Sequence, residues 1–332
     1  MIASHAEPSR FLITGAAGFI GRHLAVALEA RGNEVVGIDN MSVEQLQEYG
    51  GACLVVKDVH DLSHDDLAGV DIVVHLASAK NVPRSFGEPQ TYASNASMAL
   101  HLLKTAHTAG VSRVLIGSTC EVYGDQGGGP LPEALPVFPR SPYAASKAAM
   151  EMAARVYQLA HKEAGSPGIT IVRIFNVYGP GERADALIPS FCHAALNFGR
   201  LPIEGHGRQR RDFTFIDDAV DDLITALPSS RNVLNLGCGT TASVLEIAEL
   251  VRGHVSGVTI EHHAERPNEI ASFRSNRGCK ECRSRIGLGE GIGRTVAWWR
   301  RQIADNPRFG DRDSIAVQKY SATEPKEENV HS

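Results

Sequence analysis

Three glycines spaced by three, Gly15, Gly18 and Gly21, stand directly behind the apolar run Phe11-Leu12-Ile13-Thr14. This is the feature that most restricts the fold, because it describes a buried strand turning at once into a helix. The first glycine permits the tight turn, the second lets the backbone approach a pyrophosphate, and the third lets the helix pack close to a sheet. The helix opens at Phe19 and Ile20, and its N-terminus offers amide donors and the positive end of a dipole. A second apolar run, Val35-Val36-Gly37-Ile38, ends in Asp39, about twenty residues beyond the loop, as a dinucleotide-binding turn requires. A carboxylate there accepts hydrogen bonds from adenosine ribose hydroxyls and repels a 2′-phosphate, so NAD is favoured over NADP. The plainer alternative for Asp39 is a strand-end cap.

The rhythm of the first half extends this reading. Short β-rich runs at Leu54–Val56, Ile72–Leu76, Val114–Ile116 and Thr170–Ile174 alternate with helical patterns at Phe19–Ala30, Pro89–Ala109 and Tyr143–Ala164. Such alternation implies βαβ units and a parallel sheet. The expected fold is α/β, a Rossmann-type doubly wound parallel sheet with a smaller C-terminal α/β lobe that binds substrate. The dinucleotide-binding domain is expected over 1–176, with 213–242 returning to it. The lobe is expected over 177–304. It would contain helices at Ala186–Asn197 and Val244–Arg252, and a ligand-contacting loop across Leu201–Phe215. From Asn306 onward the chain is polar and aperiodic, so 305–332 reads as a disordered tail.

Composition narrows the function by exclusion. A formal net charge of −5 argues against a general nucleic-acid or membrane-surface role. No apolar run approaches the roughly 20 residues that cross a bilayer, and Met1–Ser9 lacks the basic start and apolar stretch of a signal peptide. The expectation is a cytoplasmic protein whose six cysteines are reduced thiols. Cys279-x-x-Cys282, with His262-His263 upstream, lacks a second ligand pair at zinc spacing, so no metal is expected.

Chemistry enters with Thr119 and with Tyr143-x-x-x-Lys147. Tyr143 and Lys147 share a helix face. Thr119 lies just past a strand end, where parallel sheets place their sites. A free tyrosine titrates near ~10, and a neighbouring ammonium together with a positive nicotinamide ring would lower it into the range of a base. Thr119 would then share the substrate oxygen, and Lys147 would hold the nicotinamide ribose.

The segments TGAAGFIG (14–21), IDN (38–40), HLAS (75–78), GSTCEVYG (117–124), SPYAASK (141–147), RIFNVYGPGE (173–182), RRDFTFIDD (210–218) and ERPNE (265–269) resemble the extended short-chain dehydrogenase/reductase family of nucleotide-sugar epimerases and dehydratases. The resemblance runs to about residue 304. It implies tightly bound NAD regenerated in each turnover, a UDP-sugar substrate and a homodimer. NAD contacts are implied at Asn40, Asp58, Val59, Leu76, Ala77, Ser78 and Lys80. Substrate contacts are implied at Arg84, Ser85, Asn176, Leu187, Ile188, Ile203, Arg211 and Arg266.

Members of this family begin by oxidising the sugar C4 hydroxyl, and an epimerase needs only the Thr, Tyr and Lys roles. This chain adds Cys120 and Glu121. A C4 ketone acidifies the C5 proton, which Glu121 can remove. A thiol titrating near ~8.5 stays protonated at pH 7 and can give its proton to a leaving C6 hydroxyl. The alternatives are a packing thiol and a solvated loop charge. Where 4,6-dehydratases carry Asp-Glu and UDP-glucuronate decarboxylases Ser-Glu, this chain carries Cys-Glu. The residues 78–86, 139–143 and 181–187 resemble the UDP-N-acetylglucosamine (UDP-GlcNAc) 5,6-dehydratase branch, of the tunicamycin type. That implies hydride return to C4 and a 5,6-exo-glycal product. A UDP-sugar 4-epimerase or an NDP-hexose 4,6-dehydratase remains the alternative. A non-catalytic NAD-occupancy sensor would not need an intact Tyr–Lys pair.

Overall fold

The computed structural model describes residues 8–42, 49–162, 165–265, 270–276 and 286–309. In chain order the first elements are β1 (Arg10–Thr14), α1 (Phe19–Glu29), β2 (Glu34–Asp39), β3 (Cys53–Val56) and β4 (Ile72–His75). Next come α2 (Val82–Gly87), α3 (Pro89–Thr108), β5 (Arg113–Thr119), β6 (Pro130–Leu131), α4 (Pro142–Ala160), β7 (Gly168–Ile174) and β8 (Asn176–Tyr178). The remainder comprises α5 (Leu187–Phe198), β9 (Arg200–Glu204), β10 (Arg210–Phe215), α6 (Ile216–Ala226), β11 (Val233–Leu236) and β12 (Thr241–Ser243). It closes with α7 (Val244–His254), β13 (Thr259–His263), β14 (Ser272–Ser275) and α8 (Leu288–Asp305).

Seven strands form one sheet in the order β11-β7-β5-β4-β1-β2-β3. Every pairing in it is parallel. Helices cover a parallel sheet on both faces, so its central strands read as near-continuous apolar runs, as Phe11–Ile13 does. Leu12, Val73, Val114 and Ile171 of the sheet pack with Leu102 of α3 and Met150 of α4 in one buried cluster. Chain order reverses between β1 and β4, and a doubly wound sheet opens a crevice for its ligand at that switch point. This is the Rossmann-type α/β architecture expected from the sequence.

Two compact units divide the chain. The first takes Met1–Val177, Arg211–Thr241 and Ile270–Arg285, and the second Tyr178–Arg210, Ala242–Glu269 and Ile286–Ser332. The segment from Ile270 falls in the first unit, although the sequence placed it in the smaller lobe, because β14 pairs in parallel with β6. Within the second unit β13 pairs in parallel with β9, and α5, α7 and α8 pack on one another. The expected loop over Leu201–Phe215 is instead two strands, β9 and β10, joined by a glycine-bearing turn. Leu201, Pro202 and Ile203 of β9 and Asp212, Phe213, Thr214 and Phe215 of β10 are all buried, so both strands are covered on both faces. Residues 306–309 form a turn whose Phe309 ring meets Trp298 and Trp299. The remainder of the expected tail, 310–332, lies outside the described residues. So do Arg266 and the Cys279–Cys282 pair. Cys53, Cys120, Cys192 and Cys238 are free thiols.

Candidate active site

The β1–α1 turn is built from absent side chains. Gly15 has φ +71°, and a Cβ there would lie 2.6 Å from the Ala77 amide nitrogen. A Cβ on Gly21 would meet the Gly15 carbonyl oxygen at 2.2 Å. Gly18 caps α1 with no side-chain hydrogen bond, and a Cβ there would approach only Gly15. The turn therefore leaves an uncapped helix N-terminus beside an open backbone face, which fits a dinucleotide pyrophosphate. Asp39 braces the same turn: its Oδ2 accepts the Ala17 amide at 3.1 Å and its Oδ1 accepts the Met41 amide at 2.9 Å. Both of its readings, strand-end cap and ribose acceptor, thus share one carboxylate. Asn40 donates to Asp58 at 2.8 Å. Donation from the His60 amide, then from Asn40, holds the Asp58 carboxyl below its usual range. Val59 is buried in the core beside it.

Strand β4 ends in His75, whose Nδ1 lies 2.7 Å from the Thr14 hydroxyl. The Ala77 amide donates to that hydroxyl at 3.3 Å, so Thr14 ties the end of β4 to the loop that follows it. Burial, reinforced by the charge of Lys147, takes the imidazole down to about 3. Leu76, Ala77 and Ser78 follow at the switch point. Asn95 of α3 was not singled out from the sequence, yet it fixes this loop. It accepts from Ala79 N at 2.9 Å and Ser78 Oγ at 3.3 Å, and donates to Ala79 O at 3.1 Å and Ser146 Oγ at 3.0 Å. Tyr92, one turn earlier, donates to Asn81 O at 2.9 Å and Lys80 O at 3.3 Å. Its ring stands edge-on to Tyr143, centroids 6.2 Å apart. The shared face of Tyr92 and Asn95, three apart on a helix, was the available signal.

Helix α4 starts where Ser141 Oγ accepts the Ala144 amide and Pro142 occupies the first turn. That start puts Tyr143 at the helix mouth and Lys147 one turn inside. Thr119 ends β5 and caps the short 3-10 turn Cys120–Tyr123, its Oγ1 accepting the Glu121 amide at 3.2 Å. The same threonine acts on the Tyr143 phenol, favouring its ionised form. The expected lowering drew on Lys147 and on a nicotinamide ring together, and the protein's own groups act in the other direction. Burial raises Tyr143, Glu121 and Cys120 raise it further, and only Thr119 opposes them. Lys147 does not supply the expected counter-effect: its Nζ donates to Gly117 O at 2.9 Å. Burial, only partly offset by Glu151, takes it down to about 7. Cys120 is 4% exposed and packs with Tyr123, Phe175 and Phe273. Burial first, then Glu121 and Asp212, push its thiol well up, while Arg211 and the Thr119 bond oppose them. The thiol is therefore protonated at neutral pH.

The remaining sequence-derived positions divide by surroundings. Arg211 donates to Ile270 O at 2.9 Å and lies 5.2 Å over the Phe273 ring. Arg84 is largely exposed and pairs with Glu88 at 3.0 Å. Ser85 is buried and donates to Val82 O at 2.6 Å. Asn176 is exposed at the start of β8. In the second unit Leu187 is half-buried, whereas Ile188 and Ile203 are buried. Among the described residues no group of three or more His, Cys, Asp or Glu side chains is placed to hold a metal, and no helix is long and apolar enough to cross a membrane.

A glycine turn at the switch point and a Thr–Tyr–Lys set on the neighbouring strand and helix define a dinucleotide-dependent redox site. Comparison with known proteins agrees. Residues 11–237 match the NAD dependent epimerase/dehydratase family, and the chain belongs to that family. It is 32% identical to the UDP-glucose 4-epimerase of Mycolicibacterium smegmatis over 88% of this chain and 99% of that protein. It is 29% identical to the dTDP-glucose 4,6-dehydratase of Streptomyces niveus over 88% of this chain and 93% of that one. Among solved structures it resembles TunA, described as an NAD-dependent NDP-hexosamine 5,6-dehydratase involved in tunicamycin biosynthesis. There the identity is 44% and the TM-score 0.83, over 88% of this chain and 97% of that one.

Proposed function

We propose that this chain is a nucleotide-sugar dehydratase that removes water across C5 and C6 of UDP-GlcNAc and yields a 5,6-exo-glycal. The observation that carries the reading is the company kept by Tyr143. Thr119, the Cys120 thiol and the Glu121 carboxylate all stand close enough to its phenol to shift its titration, and Thr119 Oγ1 itself accepts the Glu121 amide at 3.2 Å. An epimerase has no use for a second acid–base pair at that spot. The likeness to TunA at 44% identity supports the choice of sugar and of product.

In this reading Gly15, Gly18 and Gly21, with the Phe19 and Ile20 amides, hold the NAD pyrophosphate. Asp39 and Asn40 hold the adenosine ribose, and Asp58 and Val59 flank the adenine. Leu76, Ala77, Ser78, Lys80 and Lys147 hold the nicotinamide end. Bound there, NAD supplies a hydride acceptor for C4 that returns the hydride at the end of the turnover. Tyr143, raised by its own surroundings, would need the positive charge of the nicotinamide ring beside it to become the base that takes the proton of the C4 hydroxyl, and it would later give that proton back. Glu121 strips the C5 proton once C4 is a carbonyl. Cys120 donates its proton to the departing C6 hydroxyl, so the C6–O bond breaks as the C5–C6 double bond forms and water leaves. The raised thiol keeps its proton at neutral pH, as a donor must, at a cost in acid strength. Arg211 and Arg266 are assigned to the diphosphate and Arg84, Ser85 and Asn176 to the sugar. Leu187, Ile188 and Ile203 of the second unit are assigned to the base.

The enzyme is also read as a homodimer through α3 and α4. These helices pack on each other and leave Leu100, Met152, Val156 and Leu159 exposed. Apolar side chains grouped in this way mark an interaction surface. Sedimentation of Val156→Glu with Leu159→Glu against the unaltered protein tests it, and a wild-type monomer would end it. For the reaction, incubation with UDP-GlcNAc and with UDP-glucose in heavy water should give loss of water from the former, with an exocyclic methylene in the NMR spectrum. A methyl signal would indicate the 4,6-dehydratase, and an isomer of unchanged mass the epimerase.

A further inference from the structure

A second carboxylate, Glu151, lies one helical turn beyond Lys147 and is assigned no part in the chemistry above. Tyr143, Lys147 and Glu151 recur at four-residue spacing, so α4 presents all three along one stripe. Glu151 is buried, and its carboxylate is met by a hydroxyl donor and two guanidinium groups. Ser118 Oγ donates to Oε1 at 2.6 Å. Arg173 Nε donates at 3.0 and 3.2 Å, and Arg173 Nη2 at 2.7 Å. The half-exposed Arg155 stands 3.6 Å away.

These donors belong to the machinery's framework. Ser118 immediately precedes Thr119, whose Oγ1 accepts the Glu121 amide at 3.2 Å. Arg173 on β7 lies 4.6 Å over the Tyr123 ring and donates to Glu133 O at 3.3 Å. Tyr123 closes the turn that carries Cys120 and Glu121, and its hydroxyl donates to Asn235 on β11 at 2.8 Å. One buried ion pair therefore meets both ends of that turn: Glu151, on the helix that carries the phenol and the ammonium, holds Ser118, and Arg173, on β7, lies over Tyr123.

Stability is a weak reason for such a pair. Burying two charges costs desolvation that their attraction barely recovers, and well-packed apolar replacements often serve a fold as well or better. Geometry is the stronger reason, because misplacing a reacting group by ~1 Å can cost on the order of 100-fold in rate. We propose that the Glu151–Arg173 pair is a positioning device that holds the Ser118–Tyr123 turn and the Tyr143–Lys147 helix face at one fixed separation. The inference rests on the acid–base reading of that turn.

The test compares four altered enzymes with wild type in NAD affinity, melting temperature, kcat, KM and C5 deuterium exchange. Ser118→Ala removes only the tie to β5. Exchange and kcat should fall on the order of 10-fold, while KM, NAD affinity and melting temperature stay near wild type. Glu151→Gln keeps an acceptor for Ser118 and loses the charge. Glu151→Asp keeps the charge and loses the reach. Positioning predicts that the aspartate enzyme is at least as impaired as the glutamine one. The double change Glu151→Leu with Arg173→Met should restore stability without restoring kcat. Wild-type kcat in Ser118→Ala, or losses that only track melting temperature or NAD affinity across the set, would overturn the proposal. If the double variant does not fold, Ser118→Ala and Glu151→Asp decide it. Absence of C5 exchange in the wild type would instead remove the dehydratase reading alone. The kcat comparison would then be made on C4 oxidation, which Thr119 and Tyr143 serve in either case.

Discussion

The turn after β1 and the turn after β5 both leave the C-terminal ends of strands in one parallel sheet, and they are held by opposite means. The first is an arrangement of backbone, shaped by Gly15, Gly18 and Gly21 and braced by one carboxylate, Asp39. The second is an arrangement of ionisable side chains, in which Thr119, Tyr143, Cys120 and Glu121 perturb one another over a buried Glu151–Arg173 pair. A backbone cradle binds without titrating. A cluster of buried acids and bases stores proton affinities that differ from those in water, and such differences are what proton transfer needs. Binding and chemistry are thereby separable by mutation.

The largest effect is expected at the cradle. Gly15→Ala puts a Cβ 2.6 Å from the Ala77 nitrogen at a left-handed φ. A backbone strained in this way costs about 1–3 kcal/mol before the clash is counted. NAD binding by titration calorimetry should be lost and the melting temperature lowered, and unchanged affinity would show that the turn holds no cofactor. Next is Glu121→Gln, for which C5 exchange should fall about 10²–10⁴-fold, the worth of a positioned base. NAD affinity should stay the same, and normal exchange would remove Glu121 as the base.

The third effect is on pH dependence. His75 is held down to about 3, below its unfolded value, so the unfolded chain binds a proton that the native state refuses. Stability should therefore fall as pH drops below about 6.5, by about 1.4 kcal/mol per pH unit, until the native imidazole itself titrates. Urea unfolding at stepped pH measures this. His75→Asn, which keeps a hydrogen-bonding group near Nδ1 and does not titrate, should flatten the slope. The smallest effect is at Cys120→Ser, where C5 exchange should persist while loss of water slows by roughly tenfold, a weaker acid having replaced the thiol. Equal slowing of both steps would assign the thiol to packing.

The same contrast explains what the sequence disclosed. Backbone cradles require glycine at fixed intervals, so the turn, the strand carrying Asp39 and the Rossmann-type order were legible from spacing. Tyr143 and Lys147 were legible because a helix face has a fixed repeat. The direction of the Tyr143 shift was not, since it depends on where Lys147 Nζ points, and that is set by Gly117 O across the sheet. Asn95, Tyr92 and Glu151 looked like ordinary helix residues until three-dimensional neighbours gave them partners. Strand β14 was missed because its partner β6 lies more than a hundred residues earlier in the chain, and no local pattern records such a pairing.

The division of the chain carries a practical consequence. The polypeptide passes between its two units five times, after Val177, Arg210, Thr241, Glu269 and Arg285. A fragment stopped at Val177 would lack β11, the neighbour of β7, and α6, the neighbour of α1. Neither unit can be excised by one cut of a gene. Replacing the second unit with a relative's would mean exchanging three separate stretches together, and a single-crossover chimera should emerge from the ribosome with an unfinished sheet.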